Sequence, residues 1–359
     1  MLACYPTSPA RFAARTLSAL ALMQTAVGCV PTFDDNLSTI SHASVLAVQA
    51  EPAEAAPGEK VQLTALVATP VVDAASSKLS WGLCLARKPL TELGPVNPVC
   101  LEQPGQDPSS ITPLGEGASV SATLPQDTCR LFGPSSPESK NGEPAGRPVD
   151  PDPTGGFYQP FGVTLVDTSV TSLGSVRISC PPRGLDQEQA GAFTSQYRRN
   201  ENPVLASLSV IDTEQTAVPD EPAKLTVKVG QTLPLRASWA ACPSEPTCGD
   251  GICGALEDKV SCASDCTTPK GCTGAEPYAF IDENSVVQTR HESIRVSWFA
   301  TAGSYAAAVT GREEAESAQT STDNAWTAPA EPGDVRLWLV IRDARGGQSF
   351  RSFVLSVQP

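Results

Sequence analysis

From Ser44 onward the chain is a series of short runs in which apolar and polar residues alternate, and this period of two constrains the fold more than any other feature. SVLAVQAE, KVQLTALVA, KLSWGLCLA, ASVSATL, FGVTLV and SVRISC carry it through residues 44–184. ASLSVID, AKLTVKVG, TLPLRASWAAC, SIRVSWFATAG, NAWTAP, DVRLWLVIRD and SFRSFVLSV carry it through 204–359. Successive strand side chains point to opposite faces, so each run can bury one face and wet the other. Pro (33) and Gly (27) make up about a sixth of the chain, enough to bound many strands with turns and below the ~25–30% that signals disorder. The length suits roughly two domains of about 150 residues. An all-β chain of two tandem β-sandwiches is expected, over 44–184 and 204–359.

Two stretches break the pattern. Residues 133–156, GPSSPESKNGEPAGRPVDPDPTGG, are too rich in Pro, Gly and charge to pack, which predicts a long exposed loop. Its DPDPTGG imitates the start of a calcium loop, but Phe161 stands where the twelfth position needs Glu. In DQEQAGAFTSQYRR, Ala190, Phe193 and Tyr197 follow at steps of three and four, predicting a helix over 186–199. Gly191 weakens it by about 1 kcal/mol, and Pro203 lies past its end. The stretch 185–203 is therefore a helical linker.

A Ser-Trp pair recurs in KLSWGLC, RASWAAC and RVSWFAT. Trp81 and Trp298 read as equivalent core residues of two related sandwiches; a carbohydrate-stacking role for Trp81, Trp239 or Trp298 is the sharper alternative. The last hairpin, GDVRLWLVIRDARGGQSFRSFVLSV, resembles that of bacterial immunoglobulin-like and polycystic-kidney-disease-type repeats, in which an alternating strand runs into Asp-x-x-Gly and returns. Val335, Leu337, Leu339 and Ile341 would face one way, Asp343 and Gly346-Gly347 would turn, and Phe353, Leu355 and Val357 would return. The resemblance implies two immunoglobulin-like β-sandwiches used for display or recognition rather than catalysis.

Compartment is read from the N-terminus. Arg11 and Arg15 precede a mostly apolar run from Leu17 to Val27, too short to span a bilayer, with no acid before Asp34. That is a secretory signal over 1–28. Ala26-Val27-Gly28-Cys29 resembles a bacterial lipobox, which implies a diacylated Cys29 and a tether over 29–43. The other reading is a small-residue cleavage site that frees the chain. Signal removal takes two of the 25 basic residues and none of the 39 acidic ones, so the formal charge moves from −14 to −16. Nucleic acid is excluded as a partner for such a surface. The expected location is a bacterial cell envelope, on the outer membrane or cell surface, with a membrane, an envelope protein or a glycan as partner.

Apart from Cys4 and Cys29, ten cysteines remain: Cys84, Cys100, Cys129, Cys180, Cys242, Cys248, Cys253, Cys262, Cys266 and Cys272. An even set in an exported chain predicts a disulfide framework. Six of them fall in an insert, 242–272, within the second sandwich. Cys242 and Cys272 stand at its neck and would close it. The inner four are spaced C-x4-C-x8-C-x3-C, which lacks the redox C-x-x-C and leaves their pairing open. Zinc is disfavoured in an oxidising compartment, where thiols pair instead. The run CGDGICGALEDKVSCASDC also resembles exported segments written Cys-Gly-Asp-Gly-x-Cys, then Glu, then Cys and Asp-Cys. That places Asp250, Glu257 and Asp265 as oxygen ligands for calcium, or as solvated turn residues.

Catalytic motifs do not emerge. The two histidines, His42 and His291, form no H-E-x-x-H, and neither G-x-S-x-G nor a phosphate loop is present. Acid pairs such as Asp282-Glu283 and Glu313-Glu314 fall in expected turns. The expectation is a non-enzymatic display, adhesion or assembly scaffold. The alternatives are a carbohydrate-binding module with Trp326 or Tyr305 exposed, and a glycoside hydrolase with paired carboxylates.

Overall fold

Eight strands build the first sandwich: β1 (Ser44–Glu51), β2 (Glu54–Ala55), β3 (Lys60–Ala68), β4 (Leu79–Cys84), β5 (Ile111–Glu116), β6 (Ser119–Thr123), β7 (Phe157–Leu165) and β8 (Val170–Ile178). One sheet has the order β1-β3-β6, the other β2-β8-β7-β4-β5. This is a computed structural model, describing residues 37–359 except 72–76, 89–93, 103–106, 108, 135–151, 183, 214, 218, 220–224, 244–246, 255–256, 258, 268–269, 283 and 315–318. The expected signal, Cys29 and most of the 133–156 loop lie outside the described residues. A short helix, α1 (Thr128–Phe132), precedes that loop, and α2 (Gln187–Gln196) follows the first sandwich.

The second sandwich repeats the plan with β9 (Leu205–Val210), β10 (Thr216–Ala217), β11 (Leu225–Lys228) and β12 (Thr232–Trp239). An insert follows, holding α3 (Ala263–Cys266) and a separate hairpin of β13 (Pro277–Ile281) and β14 (Val287–His291). The sandwich resumes with β15 (Ile294–Ala300), β16 (Ser304–Tyr305), β17 (Val309–Arg312), β18 (Ser321–Thr327), β19 (Gly333–Asp343) and β20 (Gln348–Gln358). Its sheets run β10-β9-β12-β18-β16 and β11-β20-β19-β15-β17.

The second half repeats the strand order of the first, in the immunoglobulin-like manner, with β10 and β16 added at the two edges of one sheet. In each, an early short strand leaves the first sheet and pairs parallel to the last strand of the other: β2 with β8, β11 with β20. Trp81 in β4 pairs with Val163, and Trp298 in β15 with Leu339, at matching places. Both indoles are fully buried, and each finds a partner for its N–H: Trp81 donates to the Gly117 carbonyl at 2.7 Å, Trp298 to Thr310 Oγ1 at 2.8 Å. Each sandwich has its own core. Leu63, Trp81, Phe161 and Val163 centre the first; Leu208, Leu235, Trp298 and Phe353 centre the second.

Three expectations change. Trp326 and Tyr305 are not exposed: Trp326 is 0% accessible, and Tyr305 packs against Trp298 with ring centroids 5.6 Å apart. Trp326 belongs to the inner strand β18, which turns alternate side chains into the core, and Tyr305 on β16 pairs with it and packs against the same core, so neither ring is laid open as a sugar-stacking platform. The tether does not extend to residue 43. Ile40 donates to the Ala300 carbonyl at 2.9 Å, Ala300 donates back to Ser38, and Ile40 is buried beside Trp338. An apolar side chain there gains more from that contact than from water. Finally, the halves share more than a linker. Residues Ser38–Pro359 form one compact unit, in which the outer face of β19 (Trp338, Val340) packs on the outer faces of β1 and β3 (Ala47, Leu66, Ala68).

Candidate functional site

The cysteine insert leaves the second sandwich after β12. Its neck is closed by Cys242–Cys272, as the spacing suggested. Inside, Cys248 pairs with Cys262 and Cys253 with Cys266, a crossed pattern that the spacing had left open. Cys253, Cys262, Cys266 and Cys272 are all buried, so the staples themselves form the centre of a segment too short to build an apolar core. The remaining bonds, Cys84–Cys100 and Cys129–Cys180, fasten the first sandwich. All ten cysteines of the expected framework are paired.

The three candidate calcium ligands lie in this knob but do not converge. Asp250 Oδ1 accepts from the Ile252 N–H at 2.8 Å, Glu257 Oε2 from Gly254 at 2.9 Å, and Asp265 Oδ2 from Gly249 at 2.6 Å. Asp250 and Glu257 each close a local turn beside a glycine, while Asp265 reaches across the knob to a backbone N–H sixteen residues away. Among the described residues, the metal-capable side chains grouped within 4.8 Å are Cys248, Cys262 and Asp265, and the two cysteines are bonded to each other. Asp250 and Glu257 stand outside that group.

A second site, which sequence reasoning missed, lies where the sandwiches meet. The β19–β20 turn inserts Arg345 into a sealed pocket. Its Nε donates to Glu292 at 2.6 Å, Nη2 to Glu276, and Nη1 to the Arg198 carbonyl at 3.1 Å. From the first sandwich, Arg177 Nε pairs with Glu54 at 3.1 Å and Arg177 Nη1 donates to the Arg345 carbonyl, while the Tyr158 hydroxyl, which donates to Asp152, lies 3.1 Å from that same carbonyl oxygen. Glu54 also accepts from the Asn200 N–H at 3.1 Å, from Ser179 Oγ at 2.7 Å and from the Tyr197 hydroxyl. Asn202 bridges the halves, donating to the Ala50 carbonyl at 2.7 Å and accepting from Gln348 N at 2.9 Å.

Electrostatics differ between the two ends of this joint. Burial pushes Glu54 up, but Arg177, the Tyr197 hydroxyl, Arg345 and Ser179 outweigh it and hold the carboxyl below its ordinary value. Burial also raises Glu276, and there Arg345 does not overcome it because Glu292 adds repulsion; the carboxyl sits well above the usual range. Asp343 is raised well above its range by burial and by Glu292. Burial raises Glu292 as well. Raised carboxyls suit general-acid chemistry where a substrate meets them, but here Glu276 is 3% exposed and Glu292 0%.

Beside the joint an open groove of about 650 Å³ runs between the first sandwich and α2. Pro181, Pro182, Phe193 and Tyr197 give it an apolar floor, and Glu201 lines one side. The Phe193 and Tyr197 rings lie 5.0 Å apart on the helix face that the spacing predicted. Asp186 starts α2 with a capping box, accepting from Gln189 N at 2.8 Å.

No family model matches the chain, and no curated protein matches its sequence. Among solved structures it is similar over 89% of its length to 17% of native Escherichia coli α2-macroglobulin, at 9% identity and a TM-score of 0.21. It matches 24% of a Bacteroides vulgatus β-glycosidase over 88% of its own length, at 7% identity and a TM-score of 0.19. It matches 99% of the C-terminal domain of the Streptococcus agalactiae AgI/II polypeptide BspA over 88%, at 10% identity and a TM-score of 0.22. The chain thus spans under a quarter of the first two proteins, and likeness at this level carries no statement about function.

Proposed function

We propose that this chain is a lipid-anchored bacterial envelope protein that acts as a non-catalytic scaffold, holding the disulfide knob and the sandwich-end loops away from the membrane for adhesion or assembly. The observation that carries the reading is the joint: an apolar seam and hydrogen bonds that cross it, from Arg177 to the Arg345 carbonyl, Arg342 to the Leu46 carbonyl and Gln348 to the Val48 carbonyl, fuse two immunoglobulin-like sandwiches, so loops at one end keep a fixed relation to the other. Rigid scaffolds with loop-borne recognition work in this way. The lipobox-like Ala26-Val27-Gly28-Cys29 supports the anchor. A non-enzymatic role is supported by the sealing of the raised carboxyls Glu276 and Glu292 from solvent.

The test is fractionation of bacterial cells that express the full chain, grown with a labelled fatty acid. Wild type should carry label and sediment with membranes, and Cys29→Ala should lose both. An unlabelled, freely diffusing wild-type product would end the anchored reading. Pull-down of the wild-type protein from its envelope then asks for a partner, and loss of that partner on deleting 243–271 would assign the knob as its contact.

A further inference from the structure

At the joint, the buried carboxylates Glu276 and Glu292 share one guanidinium, Arg345, with the partly buried Asp343 beside them, while the buried Glu54 is paired with Arg177. We propose that the joint is a pH-set latch: it holds a proton shared among Glu276, Glu292 and Asp343 near neutral pH, locking the sandwiches together, and it loosens as pH rises and the proton leaves.

Charge balance carries the first half. Full ionisation would leave negative charge in excess where water cannot solvate it, and taking up a proton is the cheaper outcome. Glu54 does not compete for that proton, since Arg177, Ser179, Tyr197 and the Asn200 N–H satisfy its ionised form. Glu276 and Glu292 touch through reciprocal backbone contacts, Glu276 N to Glu292 Oε2 at 3.2 Å and Glu292 N to the Glu276 carbonyl at 3.1 Å. One arginine serves both.

The groups on the surrounding elements leave that balance in place: Arg312 on β17 donates to the Glu313 and Glu314 carbonyls, and Arg342 on β19 donates to Ser297 Oγ and the Leu46 carbonyl. Tyr158 from β7 and Tyr197 after α2 donate their hydroxyls to Asp152 and Glu54, and both are held neutral. From β13, Tyr278 lies 5.1 Å from the Arg345 guanidinium; Arg290 on β14 stacks on Phe280 at 3.8 Å, and His291 pairs with Pro277. Glu314 acts on Tyr278, and Glu51 opposes Lys270 in acting on Glu201.

Asp343 is the first of the three to give up the shared proton, because its carboxylate already accepts from the Arg345 and Gly347 N–H groups at 2.8 Å each and from Asn200 Nδ2 at 3.1 Å, all of which favour its ionised form. A route to water also exists: Glu201, half-buried on the groove, donates its N–H to Glu276 Oε1 at 3.2 Å.

The sign follows. Acids raised in the folded state hold a proton that the unfolded chain releases, so stability is lost as pH climbs through the folded value. Glu54 works in the opposite direction, and its contribution fades below the ordinary carboxylate range. A scan from about pH 5 to about pH 9 therefore isolates the latch.

The experiment measures melting temperature across that range on the unreduced full chain, with infrared spectra at neutral pH and small-angle scattering at both ends. Wild type should melt lower as pH rises, show the carbonyl band of a protonated carboxylic acid, and lengthen at high pH. Glu276→Gln and Asp343→Asn, which fix the neutral form, should flatten the slope and weaken the band. Wild type alone decides should the variants not fold. A missing acid band, or a melting temperature that stays level or rises across the range, overturns the proposal.

Discussion

Arg345 shows how one side chain can matter more than its place in a turn suggests. It is 0% exposed and forms ion pairs with Glu276 and Glu292 on a different segment of the same sandwich. A buried pair adds little over an apolar replacement of both partners, but removing one partner strands the other. Arg345→Met should therefore destabilise the chain by about 3–5 kcal/mol near neutral pH. Denaturant unfolding would measure it, and the loss should shrink in mild acid as the stranded carboxyls take up protons. Arg236→Met makes the control. Arg236 forms two hydrogen bonds with Asp323 at 2.7 and 2.8 Å, but on the open face of β12, where water already solvates both groups. No measurable change is expected there.

Among elements, the staples and strand β19 contrast. Cys129–Cys180 ties α1 to the end of β8 across 51 residues that include the long loop. Closing so long a loop restricts the unfolded chain, and replacing both cysteines with alanine should cost about 4 kcal/mol by the chain-entropy argument. Calorimetry against wild type checks this, and an unchanged melting temperature would mean that the unfolded loop is already compact. β19 owes its place to side chains instead. Val335, Leu337, Leu339 and Ile341 enter the core of the second sandwich, and Trp338 and Val340 enter the seam with the first. A strand buried on both faces loses alternation, and LWLVI has lost it.

For the whole molecule, the seam and the ionic joint make two cores unfold together. A single calorimetric transition with equal van't Hoff and calorimetric enthalpies is expected. Trp338→Ser removes the largest apolar side chain of the seam without touching either core, so it should split the transition in two. A single unsplit transition in that variant would show that the charged joint alone couples the halves.

The local pattern of the sequence picked out most of the long strands, the paired role of Trp81 and Trp298 and the helix face of Phe193 and Tyr197, and it suggested the neck closure by Cys242 and Cys272 without fixing it. Each rests on neighbours within a strand, a helical turn or a loop neck, and alternation or spacing records such neighbours directly. The crossed bonds of the inner four cysteines needed the tertiary structure, because spacing permits three pairings. So did the burial of Trp326, since an inward and an outward indole occupy the same kind of strand position. The joint was the least legible of all. Glu54, Arg177, Glu276, Glu292 and Arg345 come from five separate segments, each reading as an ordinary surface charge, and only packing one sandwich against the other removes the water that made them ordinary.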